Sequence, residues 1–274
     1  MNVLQIKGLC KQYPRFTLDH VSFDVRQGHI TGFIGRNGAG KSTTLSSLLG
    51  IVHPDAGNIR FFGMPYAENE HAIRQRIGFV AGGIDYYPHK RLSAITDVTR
   101  RFYTNWDDAA YRGFLARFGL DESKTPAQLS AGMKVKYALT LALSHHAELL
   151  ILDEPTSGLD PVSREDLLEL FLSLKAQGVS ILFSTHITSD LEKCADDLVY
   201  IRAGHVAAAE DIRDFQAHYR LLTVGAGTPI PPQSLGTRLS RDGATVLLDA
   251  ACALPGSRPA SLEEIMVHLE KEDA

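Results

Sequence analysis

The chain has 274 residues, 44% hydrophobic and 22% charged, with a formal net charge of -4. That length suits one large α/β domain, or a domain of about 200 residues with a small appendage, and it allows a sizeable buried core. The charge balance excludes a polyanion-binding surface, since Lys90-Arg91 and Arg100-Arg101 are too short to make one, so nucleic acid is not an expected partner.

Three widely spaced cysteines, Cys10, Cys194 and Cys252, form no Cys-x-x-Cys pair and have no zinc-like histidine spacing, which fits a reducing compartment. From the N-terminus, Met1 to Lys7 alternates apolar and polar residues as a strand does and lacks the apolar core of a signal peptide. No apolar run approaches the roughly 18 to 20 residues that cross a bilayer, so if the chain acts at a membrane another polypeptide supplies the spanning helices. Strands are expected at residues 3–6, 17–25 and 29–34, the second carrying Leu18, Val21, Phe23 and Val25 in alternation. A helix over 41–52 ends at the turn cluster His53-Pro54-Asp55-Ala56-Gly57, and a strand over 58–62 follows.

From about residue 68 the chain is expected to be helical, to return to a strand at 76–80 and to loop through 81–88. Residues 93–146 read as helical with breaks near Asn105, 119–122 and Pro126, and define a helical subdomain of about 83–146. His145 and His146 are read as helix-end residues, because adjacent histidines point to different helix faces and do not share a metal. The unbroken run Leu149-Leu150-Ile151-Leu152 marks a strand of the buried parallel type. Asp160 is a good N-cap with Pro161 at the first helical position; Leu167, Leu168, Phe171 and Leu174 make one face, and Gly178 ends the helix before a strand at 179–184.

Strand, helix and strand in alternation give an α/β fold whose parallel sheet is covered on both faces. After Gly204 the character changes. Residues 219–224 and 244–249 read as strands separated by a Pro/Gly-rich stretch at 225–236, and Ser261 and Glu264 form the capping box of a last helix to about residue 270. The expected division is therefore 1–205 for the main domain and 206–274 for a small α/β appendage.

Three constellations carry chemistry. Gly35-Arg36-Asn37-Gly38-Ala39-Gly40-Lys41-Ser42-Thr43 is a complete Gly-x-x-x-x-Gly-Lys-Ser loop between an apolar strand and a helix. Its glycines let backbone N–H groups curl around a phosphate, Lys41 reaches the β/γ oxygens, the Ser42 hydroxyl completes a Mg²⁺ shell, and the helix N-terminus adds a favourable dipole. Asp153 and Glu154 stand at the carboxyl end of a buried strand, where α/β sheets bind ligands. Adjacent strand carboxylates point to opposite sides, so Asp153 is expected to hold Mg²⁺ and Glu154 to orient water. His186, at the end of the next strand, is expected beside them as a γ-phosphate sensor. A Ser-x-Gly turn at Ser130 and Gly132 opens a helix and can receive an anion.

Together these motifs resemble an ATP-binding subunit of an ABC transporter over about residues 1–205. Gly35 to Thr43 resembles the Walker A loop, Leu129 to Met133 the signature motif, Leu149 to Glu154 Walker B, Ser157 to Asp160 the D-loop and His186 the switch histidine. Tyr13 fits the aromatic A-loop that stacks on adenine, and as a bare tyrosine it fits a strand core equally well. The resemblance implies a P-loop NTPase core of the RecA type with an antiparallel β-subdomain, a helical subdomain and the C-terminal appendage. Two departures stand out. Ala131 and Met133 replace a Gly and the Gln of the usual signature, and no glutamine follows Ile77-Gly78-Phe79-Val80-Ala81-Gly82 where the family has its Q-loop; Asp85 is the candidate substitute.

The resemblance further implies ATP and Mg²⁺ as cofactors, and a head-to-tail homodimer or heterodimer in which Ser130, Gly132 and Asp160 serve the facing chain's nucleotide. It also implies an integral membrane permease as partner, docked around 82–105, and a cytoplasmic location on the inner face of the membrane. Glu154, His186 and Lys41 are the expected catalytic residues. Asn105-Trp106-Asp107, the signature and the C-terminal Ser261-Leu262-Glu263-Glu264-Ile265 helix resemble bacterial ABC-2 exporters, including those linked to antibiotic or peptide export. Two alternatives stay open: a soluble ABC ATPase of the iron–sulfur assembly type, and a regulatory subunit that hydrolyses ATP weakly.

Overall fold

The computed structural model describes residues 1–81 and 87–270. In chain order the elements are β1 (Asn2–Tyr13), β2 (Phe16–Arg26), β3 (Ile30–Ile34), α1 (Lys41–Leu48), β4 (Ala56–Phe61), β5 (Met64–Pro65), α2 (Tyr66–Arg74) and β6 (Ile77–Ala81). The helical lobe follows as α3 (Leu92–Thr99), α4 (Asp108–Phe118) and α5 (Ala131–Leu143). Then come β7 (Leu149–Asp153), α6 (Pro161–Ala176), β8 (Ser180–Thr185), α7 (Thr188–Cys194), β9 (Asp197–Arg202) and β10 (His205–Asp211). The chain closes with α8 (Ile212–Ala217), β11 (Tyr219–Gly225), β12 (Ser234–Ser240), β13 (Gly243–Asp249), β14 (Arg258–Pro259) and α9 (Leu262–Leu269).

The central sheet runs β10-β9-β3-β8-β7-β6, with β9, β3, β8, β7 and β6 parallel and β10 antiparallel to β9. All residues of β3 and β8 are buried, as a strand covered on both faces requires. Alternate residues divide between the two layers. Leu150 and Leu152 of β7 pack with Leu139 of α5 and Phe171 of α6, whereas Leu149 and Ile151 pack with Leu45 and Leu48 of α1 and with the antiparallel sheet β2-β1-β4-β5. Asp153 has the parity of Leu149 and Ile151, so it leaves the strand on the α1 side.

The lobe α3–α5 has its own core of Leu92, Ile95, Tyr111, Leu115, Tyr137 and Leu141. Thr96 lies inside it and shares hydrogen bonds with the hydroxyls of Tyr111 (2.8 Å) and Tyr137 (2.9 Å), so no buried hydroxyl there is left unpaired. Asp107 caps α4 by accepting from the N–H groups of Ala109 and Ala110.

Several elements differ from the sequence expectations. The helix expected to reach residue 52 ends at Leu48, where the chain turns through Gly50 at φ 69. Strands β5, β9, β10, β12 and β14 were not expected; β10 prolongs the central sheet past residue 205 to Asp211. The C-terminal sheet β12-β13-β11-β14 and α9 pack on the main body, where Leu221, Leu247, Leu262 and Ile265 join one apolar cluster with Leu191, Cys194, Leu198 and Phe215. Among the described residues no helix is long and apolar enough to cross a membrane.

Candidate nucleotide site

The loop between β3 and α1 owes its path to one backbone position. Gly40 sits at φ 114, and a Cβ there would lie 2.9 Å from Leu18 Cδ1 and from Phe16 Cζ, so only glycine fits. Behind it α1 begins without a side-chain cap, leaving its first N–H groups directed at the loop. Lys41 is 6% exposed and folds back, donating to the carbonyls of Gly35 (2.7 Å) and Arg36 (3.3 Å). The hollow in front of the loop measures about 550 Å³ and is bounded by 36–38, 40–43, Phe16, Glu154, Ser157 and His186. It is large enough for the polyphosphate of a nucleotide.

The carboxyl ends of β7 and β8 supply the acidic groups. Ser184 uses its hydroxyl twice, donating to Asp153 Oδ1 at 2.5 Å and accepting from the Glu154 N–H at 2.9 Å. This clamps the strand end. Glu154 then turns through φ 50, a left-handed conformation uncommon for a non-glycine residue, and its carboxylate leaves in a different direction from that of Asp153. Glu154 Oε1 lies 3.6 Å from Lys41 Nζ, and Oε2 lies 2.8 Å from His186 Nδ1. A carboxylate, an ammonium and an imidazole thus converge on one wall of the hollow.

The other expected site residues lie elsewhere. Ser130 caps α5 by accepting from the Met133 N–H at 3.2 Å, and Gly132 faces Ser163, whose Cβ would be 3.3 Å from a Cβ at Gly132. Asp160 caps α6; the Ser163 hydroxyl, with the N–H groups of Ser163 and Val162, holds its carboxyl below the usual range. Ser130, Gly132 and Asp160 do not line the hollow that holds 36–43. Tyr13 ends β1 opposite Phe16 in the β1–β2 hairpin and is 39% exposed, while Phe16 forms part of the wall. Asp85 lies outside the described residues.

Three contributors escaped the sequence reading. Ser184 is visible only as a polar residue in a buried strand, Ser157 only as part of the D-loop, and Phe16 carries no sequence signal. A fourth is the C-terminal helix: Arg36 lies 4.0 Å from Glu270, which accepts from the Tyr200 hydroxyl at 2.7 Å. One further expectation needs correction. Cys10 does have a histidine beside it, because the β1–β2 pairing brings Cys10, Asp19 and His20 together. His145 and His146 do diverge, the first stacking on Tyr103 and the second pairing with Asp107 at 3.4 Å.

Comparison with known proteins agrees with this geometry. Residues 18–157 match the ABC transporter family. The bacitracin transport ATP-binding protein BcrA of Bacillus licheniformis is 35% identical over 206 residues, 74% of this chain and 67% of that protein. The Nod factor export ATP-binding protein I of Burkholderia orbicola is 36% identical over 212 residues, 75% of this chain and 69% of that protein. A solved ATP-binding subunit of an ABC transporter superposes with a TM-score of 0.71 at 32% identity, over 78% of this chain and 92% of that one. A dimeric ATP-binding cassette bound to ADP and Pi shares the fold at 21% identity, with a TM-score of 0.67 over 77% of this chain and 99% of that one. The chain therefore belongs to the ABC transporter family, as an ATP-binding protein whose hydrolysis of ATP powers transport.

Proposed function

We propose that this chain drives an exporter by closing, with a second cassette, around two ATP molecules, and that each site combines the Gly35 to Thr43 loop of one chain with Ser130 and Gly132 of the other. The observation that carries this reading is the convergence of Glu154, Lys41 and His186 on the phosphate hollow while Ser130 and Gly132 stand outside it. Lys41 neutralises charge on the transferred phosphoryl group, and Glu154 accepts a hydrogen bond from the attacking water. His186 holds the Glu154 carboxylate and contacts the γ-phosphate once Glu154 turns to the water.

The hydroxyl of Ser42 and the carboxylate of Asp153 are hard oxygen donors that would hold Mg²⁺, which when bound would supply positive charge against the phosphates. The two export proteins among the relatives support an outward cargo. The same likeness supports a permease partner, with the cassette peripheral on the inner membrane face, and co-purification with a multi-spanning membrane protein separates this from a soluble ATPase.

The test is Glu154→Gln, which keeps the shape of the side chain, replaces one acceptor oxygen by an amide donor, and removes its charge and basicity. The variant is expected to bind ATP with nearly unchanged affinity, to lose turnover about a hundredfold or more, and to elute as an ATP-dependent dimer in light-scattering chromatography. Unchanged turnover with no ATP-dependent dimer would refute the reading. Measurable turnover in the pure wild-type chain separates it from a regulatory subunit lacking the Q-loop glutamine.

A further inference from the structure

The β1–β2 hairpin contains an irregularity with chemical content. Leu9 pairs with Val21 and Lys11 with Leu18, so Cys10 on β1 faces two residues, Asp19 and His20, on β2. This is a β-bulge, and bulges re-aim side chains that regular pairing would send to opposite faces. His20 adopts φ 46, the left-handed conformation that permits the extra residue. As a result one ligand atom from each of Cys10, Asp19 and His20 falls within 4.8 Å of the others.

Two surrounding contacts prepare this cluster further. The His20 N–H donates to Cys10 Sγ at 3.3 Å, which holds the sulfur on the side of the hairpin where Asp19 and His20 lie. Asp19 meets the His20 ring through Oδ1, while its Oδ2 lies 3.6 Å from Nδ1 of His205 at the start of β10. The side chains of Asp19 and His20 are 41% and 80% exposed, so an ion can reach them from solvent.

We propose that Cys10, Asp19 and His20 bind one borderline-soft divalent cation of the zinc type, with His205 holding the far oxygen of Asp19. A thiolate, an imidazole and a carboxylate are the donor types that zinc accepts together, and hard cations such as Mg²⁺ are disfavoured by sulfur. The fourth position faces solvent and is available to water. The ion would tie β1 to β2 at the bulge. Asp19 is joined through its N–H to the Gly204 carbonyl (2.9 Å), and the Gly204 N–H donates to the carbonyl of Ala39 (3.0 Å) in the phosphate loop, so the clamp reaches the nucleotide site through two backbone hydrogen bonds.

Cobalt(II) titration of the full chain tests the proposal, without nucleotide or Mg²⁺ and in a Cys252→Ser background that removes the exposed thiol. One equivalent should produce a thiolate-to-cobalt charge-transfer band with intense visible bands of four-coordinate cobalt, and zinc should abolish both stoichiometrically. Cys10→Ser should eliminate the charge-transfer band. His20→Ala, at an exposed side chain whose loss leaves the core intact, should weaken cobalt binding roughly tenfold or more. Absence of the band in the parent, its survival in Cys10→Ser, or undiminished affinity in His20→Ala would each overturn the site.

Discussion

At the scale of single residues, Glu154 shows how a strained backbone aims a carboxylate. A regular strand would carry its side chain away from Asp153 on the opposite face, buried against α5 and α6 as Leu150 and Leu152 are. The turn at φ 50, secured by Ser184, brings the carboxylate to Lys41 and His186 instead. The cost of such a conformation is on the order of 1–3 kcal/mol and is borne by the clamp at the strand end. A second residue-scale question concerns the two aromatics of the hairpin. Phe16 packs against the core beneath Gly40, whereas Tyr13 is free at the rim with Lys11 Nζ 5.9 Å from its ring centroid. A base stacks on an aromatic that offers an open face, and such stacking contributes about 1–3 kcal/mol. Tyr13→Ala is therefore expected to weaken ATP binding about tenfold while leaving tripolyphosphate binding and thermal stability unchanged, whereas Phe16→Ala lowers stability and weakens both ligands. Titration calorimetry with the two ligands checks this; an ATP affinity unaltered by Tyr13→Ala would transfer the stacking role to Phe16.

At the scale of elements, the joint between the helical lobe and the central sheet rests on a buried histidine. His145, just past α5, is 1% exposed, stacks on Tyr103 with ring centroids 3.7 Å apart, and donates from Nδ1 to the Gln75 carbonyl at 3.3 Å. Burial, opposed by hydrogen bonding to backbone carbonyls and reinforced by nearby His146, lowers its pKa to about 4 from 6.5. The folded state thus prefers the neutral ring. The unfolded chain binds the extra proton first, so the contribution is fully present above pH 6.5 and is lost as pH falls toward 4, by about 3 kcal/mol at the limit. His145→Phe keeps the stacking and removes the titration. Its melting temperature should vary less with pH between 4 and 6.5 than the wild type's, and identical slopes in scanning calorimetry would disprove the linkage.

Elements whose signals are local could be read in the chain. Buried β7 announces itself by its apolar run, α6 by the Asp160-Pro161 cap, and α9 by its capping box, because each depends on neighbours a few residues away. Strand β10 could not, since Val206-Ala207-Ala208-Ala209 has almost no contrast between faces and takes its place at the sheet edge only by pairing with β9. Nor could the Cys10–His20 meeting, which depends on a bulge set by register across the hairpin. Within the site the same division holds. The phosphate loop and the acidic strand end are contiguous in sequence, whereas Phe16 reaches the hollow only through the packing of β2 beneath Gly40.

At the scale of the whole molecule, one chain presents two incomplete surfaces. The first carries 36–43, Glu154 and His186 around the hollow; the second carries Ser130 at the start of α5, with Gly132 against Ser163 beside the Asp160 cap. If the second surface completes the hollow of another copy, defects in the two can complement each other in a mixed dimer. Lys41→Ala disables a chain's own phosphate loop and leaves its Ser130 turn intact. Ser130→Tyr blocks the turn and leaves the loop intact. Each variant alone is expected to lack ATPase activity. Mixed in equal amounts they should recover about a quarter of the wild-type rate per chain, since half of the randomly paired dimers are mixed and each holds one intact composite site. The recovery should disappear when the mixture is diluted below the dissociation constant of the ATP-bound dimer. A site completed within a single chain predicts no recovery at any mixing ratio, and that result would remove the two-chain arrangement while leaving the contacts of Lys41, Glu154 and His186 within each chain untouched.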